Sequence, residues 1–158
     1  MGDIITASGT RFYIGVASTS TIDTVEEFEA TSGWTELGLI ESLGEYGDQA
    51  NEVTFAAIGD ARVRRSKGAR DAGMIAVTCA HDPLDTGQAA MEVAEATNNN
   101  YQFKVVLPDG PAGYSDTIQY FRGLVMSKRL NVGTNDNVVR VVYNVGINSE
   151  IFENPAST

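Results

Sequence analysis

Cys79 and His81 are the chain's single cysteine and single histidine. Two apart on an apolar, β-branched run, they would share one strand face, and a thiol beside an imidazole is a nucleophile-and-base pair. No Gly-rich oxyanion loop accompanies them, and neighbours along one strand rarely align for attack. The expectation is a small buried cysteine and a histidine at a strand end. One Cys and one His also fall short of the three or four ligands that zinc needs. Asp85-Thr86-Gly87 spells the tripeptide of aspartic proteases, in which two carboxylates share a proton between facing loops. That chemistry places the tripeptide in an apolar loop after a strand. Here Asp82-Pro83-Leu84 precedes it and a helical pattern follows, so Asp85 reads as a helix cap; a small dimeric aspartic hydrolase using Asp85 is the alternative from a different class. Asn135-Asp136-Asn137 offers oxygens to calcium but lacks the remaining ligands and the closing Glu, and reads as a polar turn. No Walker loop or dinucleotide fingerprint is present. The expectation is therefore no enzyme, no cofactor and no metal.

Charge is more informative. Of 21 acids and 11 bases, eleven acids and one base (Arg11) fall in residues 1–60, and ten of each follow, so the whole net charge of −10 sits in the first part. The second part opens on Arg62, Arg64, Arg65, Lys67 and Arg70. Segregated charge speaks to association, acidic region against basic band, rather than to fold. A net charge of −10 argues against a nucleic-acid binder, whose affinity comes from neutralising phosphates. No apolar run approaches the roughly eighteen residues of a membrane span, and Met1 to Thr6 lacks a signal peptide's basic start.

The elements that position these residues are mostly strands. Residues 1–158 read as one domain, with 1–10 and 152–158 as flexible arms. Period-two alternation marks strands at 11–17, 34–37, 72–80, 101–107, 117–130 and 138–147. A polar connection over 16–31 carries Val25 and Phe28 as anchors of a helical turn or loop. Residues 52–58 and 61–66 read as a hairpin across Gly59-Asp60. The helix runs over 86–98, capped by Asp85 with Gln88 three residues on, and Ala90, Val93, Ala94 and Thr97 form its apolar face. Residues 38–51 are too irregular for an element and too long for an idle turn. They form a long assembly loop with Leu39, Ile40, Leu43 and Tyr46 exposed, and its removal is expected to leave a folded monomer. The sum is a mainly β domain, an antiparallel sandwich or barrel with one flanking α-helix.

Several segments, taken in order, resemble the tail tube proteins of long-tailed, non-contractile bacteriophages. They are Trp34-Thr35-Glu36-Leu37-Gly38, Glu41-Ser42-Leu43-Gly44-Glu45-Tyr46-Gly47 and Val53-Thr54-Phe55. Then come Ser66-Lys67-Gly68 with Asp71-Ala72-Gly73, Asp82 to Gln88 opening the helix, Phe121-Arg122-Gly123-Leu124-Val125 and Ile147-Asn148-Ser149. The resemblance spans about residues 11–151 and lacks the C-terminal immunoglobulin-like domain of some members. It implies six copies closing into a ring, rings stacking into a hollow tube, and DNA passing through without specific binding. Its implied partners are further copies of the chain, a tape measure protein, a tail terminator and tail-tip proteins, with no membrane. Its implied location is the virion tail, after assembly in the host cytoplasm. A type VI-like secretion tube subunit is the alternative within the class. Leu39, Ile40, Glu41, Leu43, Glu45 and Tyr46 of the loop, with Arg62, Arg64, Arg65, Lys67 and Arg70, are the expected subunit contacts.

Overall fold

The computed structural model describes residues 4–17 and 24–157. Ten strands and two helices follow one another as β1 (Arg11–Ala17), α1 (Val25–Glu29), β2 (Thr35–Glu36), β3 (Ile40–Ser42), β4 (Gln49–Phe55), β5 (Arg64–Asp71), β6 (Met74–Ala80), α2 (Thr86–Glu95), β7 (Tyr101–Leu107), β8 (Thr117–Asn131), β9 (Arg140–Ile147) and β10 (Phe152–Asn154). Eight of the strands make one antiparallel sheet in the order β2-β1-β7-β8-β9-β6-β3, with β10 added on β8. The two ends of that path, β2 and β3, are separated by only Leu37, Gly38 and Leu39. A sheet whose opposite edges are joined by three residues must curl until those edges meet, which gives the sandwich-like barrel. The fifteen-residue β8 carries the curl: its first half pairs with β7 through Leu107↔Thr117, its second half with β9 from Gly123 on, and a bulge at Met126 bends that second half.

Helix α2 plugs the side that the curl leaves open. Asp85 caps it by accepting from the Gln88 amide at 3.1 Å, and the same carboxylate accepts from Gly38 N at 3.0 Å, tying the cap to the edge-to-edge crossing. Gly87 stands so close that a Cβ there would lie 2.2 Å from the Glu36 carbonyl oxygen. The side-chain amide of Gln88 spans Asp82 N and Ala80 O rather than closing the capping box on Asp85. The helix ends at Glu95, short of the expected Asn98, and buries Gly87, Gln88, Met91 and Ala94. Val93 points outward, because in an alanine-rich helix the bulkier, unbranched Met91 fills the core two positions away. The core itself joins Phe12, Ile14, Ile75, Val77, Phe103, Phe121, Val141 and Tyr143 with Met91.

A second, smaller layer covers the other face of β1, β7 and β8. Phe28 of α1 stacks on Tyr120 at 5.3 Å and meets Phe152 of β10 at 5.5 Å, while Trp34 lies 6.1 Å from Tyr120. This layer explains why Gln102 and Val106 are buried although their strand alternates cleanly. It also corrects the expectation of a flexible arm over 152–158. Residues 152–154 pair with 118–120, and Ser157 O accepts from Ser115 N at 2.8 Å. At the other end, residues 4–10 carry no strand and leave Ile4 and Ile5 exposed. Residues 1–3, residues 18–23 within the expected polar connection, and residue 158 lie outside the described residues.

Candidate assembly surface

Each residue singled out for catalysis has a structural place. Cys79 points into the core, where burial, and secondarily Asp85, pushes its thiol up to about 11. It is therefore a protonated thiol, the reverse of a poised nucleophile. His81 lies beyond the end of β6, exposed, its amide donating to Val139 O at 2.8 Å. Asp85 is the helix cap, its carboxylate engaged with two backbone amides. Asn137 N donates to Thr134 O in a turn, and no group of three metal-ligating side chains occurs among the described residues. No helix among them is long and apolar enough to cross a membrane.

The loop expected over 38–51 is two different things. Its first part belongs to the barrel: β3 pairs with β6 through Ile40↔Cys79, and a bulge at Glu41 hides the alternation. Ile40, Leu43 and Tyr46 are half-buried against the core, and only Leu39, at a φ of 56°, is strongly exposed. Glu41 is paired with Arg140 across to β9, while Glu45 is exposed. Removing 38–51 would take out an edge strand and a root of the core, so the expected folded monomer does not follow. The last part, from Gln49, begins β4.

Strands β4 and β5 form a separate two-stranded sheet that packs substantially against no other element among the described residues. The register Phe55↔Arg64 makes its turn residues 56–63, longer than the expected Gly59-Asp60. An isolated two-stranded hairpin is at best marginally stable in water. Here both of its faces are open. Glu52 and Thr54 stand opposite Lys67 and Arg65, and Val53 and Phe55 opposite Ser66 and Arg64. Val53, Phe55, Ile58 and Val63 are 51%, 67%, 107% and 46% exposed. The basic band is on this hairpin, with Arg62 in the turn. Three of its five cations are already compensated within the chain: Arg64 by Asp60 at 2.9 Å, Arg65 by Glu52 at 3.0 Å and Arg70 by Asp48 at 3.6 Å. Arg62 and Lys67 have no ion pair among the described residues. The four apolar side chains were not among the expected contacts; Val53-Thr54-Phe55, alternating beside a strand with no apolar face, was the signal for them.

The phage tail tube protein (TTP) family model matches residues 6–151. The chain belongs to this family. As a tail tube protein it is a structural subunit of a stacked tube in the virion tail. Two solved structures carry the same fold. The SPP1 tail tube, determined by solid-state NMR and cryo-EM, aligns with TM-score 0.69 and 16% identity over 96% of this chain and 80% of that one. A chain of the anti-feeding prophage baseplate, a sixfold-symmetrised cryo-EM structure, aligns with TM-score 0.71 and 7% identity over 98% of both. Hcp protein aligns at TM-score 0.46 and 8% identity over 92% of this chain and 98% of that one. No curated protein matches the chain.

Proposed function

We propose that six copies close into a ring through barrel-to-barrel contacts and that the β4–β5 hairpin of each copy seats on a neighbouring copy to hold the stacked rings together. The observation that carries this is the hairpin, a two-stranded element with exposed Val53, Phe55, Ile58 and Val63 and no substantial packing partner among the described residues. A head-to-tail contact of this kind propagates into an open stack. The sixfold symmetry of the anti-feeding prophage baseplate supports the ring size. Arg62 and Lys67 supply cations to acidic surface on the neighbour, and Leu39 and Glu45 add contacts at the barrel edge. Because most of the band is compensated in the subunit, apolar burial carries the contact and charge steers it.

The bore passes DNA without holding it, and the tube grows in the host cytoplasm on a tape measure protein between a tail tip and a terminator. The chain's role is architectural rather than catalytic. Negative-stain electron microscopy of the purified protein across concentration tests the reading. Rings and tubes with a central hole are expected for the natural chain, and folded subunits or single rings that do not stack for Val53→Asp with Phe55→Asp. Tubes formed equally well by that double variant would remove the hairpin from the contact, and a monomer at every condition for the natural chain would sink the tube.

A further inference from the structure

The hairpin joins the barrel through two short roots, residues 45–48 and Asp71–Gly73. Clefts of about 540 and 520 Å³ flank the roots, the first against Tyr46 and Met74, the second against Asn148 and Glu150. With open space on both sides, few contacts fix the direction in which the hairpin leaves. At the second root Asp71 Oδ1 accepts from Gly73 N at 2.8 Å, and Gly73 O accepts from Ile147 N at 3.0 Å. At the first root one side chain does the anchoring. The Tyr46 ring lies 6.4 Å from Phe121, and its hydroxyl donates to Gln119 Oε1. Gln119 Nε2 in turn donates to Glu153 Oε1 at 3.3 Å. A carboxylate only accepts, so Glu153 selects the amide orientation that presents Oε1 to the tyrosine. Glu153 belongs to β10, beyond the 6–151 span of the family model.

We propose that Tyr46, held through Gln119 by Glu153, is a positioning residue that aims the hairpin, so that the C-terminal strand governs the pose offered to a second copy. The consequence for assembly rests on the hairpin's role in the tube; the aiming itself does not. Burial, with Glu153 as the lesser cause, pushes the Tyr46 phenol up to about 12, so it remains a donor throughout the neutral range. The ring anchors the root and the hydroxyl sets its rotation, so the two are separable by mutation.

The test uses the full chain with buried Cys79 replaced by Ala and spin labels on cysteines placed at Ala57 in the turn and Ala89 on α2. In dilute monomer the pair should give a narrow distance distribution. Tyr46→Phe, Glu153→Gln and removal of 152–158 should each broaden it. The melting temperature of Tyr46→Phe should move little, which separates aiming from stability. The concentration needed for assembly should rise by up to about tenfold, the population shift that loss of one hydrogen bond produces. Unchanged distributions in both point variants would overturn the proposal. Broadening together with a natural chain that never assembles would uphold the aiming and refute the tube reading instead.

Discussion

Gly87→Ala reverses a rule of helix chemistry here. In an exposed helix interior, alanine is about 1 kcal/mol better than glycine. Gly87 is the second residue of α2 and faces the crossing between the two sheet edges. A Cβ would sit 2.2 Å from Glu36 O, 2.7 Å from Glu36 C and 2.7 Å from Leu37 Cα. Ordinary carbon contacts begin near 3.5 Å, and all three atoms are backbone, so no side chain can swing aside. Overpacking of this kind costs roughly 1–3 kcal/mol and sometimes more; contact with backbone places it at the upper end. Offsetting about 3 by the 1 gained in propensity leaves about 2 kcal/mol of destabilisation, or ~4–8 °C in Tm for a domain of this size. Calorimetry on dilute monomer measures it, with Ala89→Gly on the exposed face of the same helix as control, expected to lose about 1 kcal/mol. Faster amide exchange at Leu37 and Gly38 should accompany the drop. An unchanged or raised Tm in Gly87→Ala would show that α2 is not wedged against the crossing.

The cap at Asp85 is tested by two substitutions. Asp85→Ala orphans the Gln88 and Gly38 amides and should cost about 1–3 kcal/mol, whereas Asp85→Asn keeps an acceptor and should lose under about 1 kcal/mol with assembly intact; a hydrolytic activity abolished by Asp85→Asn in a folded chain would restore the protease reading. Arg65→Glu places like charges across the hairpin at Glu52, so tube yield at low salt should fall. The loss should recover as salt rises, because exposed charges are screened over about 10 Å at 0.1 M; equal yields at low salt would remove charge from the contact. Tyr46 and Tyr143 are both pushed up to about 12, chiefly by burial. The folded chain therefore holds these protons more tightly than the unfolded one, whose tyrosines titrate near 10. Their contribution is complete below pH 10 and is lost as pH rises from 10 toward 12. Urea midpoints across that range should fall less steeply in Tyr143→Phe.

The strands with one face in the core were legible because burial imprints alternation. β6, β8 and β9 place Ile75, Val77, Phe121, Val125, Val141, Tyr143 and Val145 inward at every second position or across a bulge. Where no face is buried, no alternation is imprinted, and the hairpin strands were displaced by several residues for that reason. β3 escaped notice because three residues and a bulge leave too short a pattern. β10 escaped because its partner surface, Phe28 and Tyr120, is assembled from distant segments. The candidate site was legible in its charges, which sequence lists directly. It was illegible in their pairing, since Asp48, Glu52 and Asp60 meet the arginines only through the hairpin's register.

The hairpin's isolation from its own barrel also bears on how such a chain changes over generations. A substitution in the core is judged first by whether the subunit folds. One at Val53, Phe55 or Ile58 leaves the barrel core untouched, so under the proposed assembly it is judged mainly by the fit between copies. Folding and partner choice thus answer to separate sets of positions, and the hairpin can drift in step with the surface it covers while the barrel stays fixed. A lineage can in this way acquire tubes that exclude a related subunit expressed in the same cell.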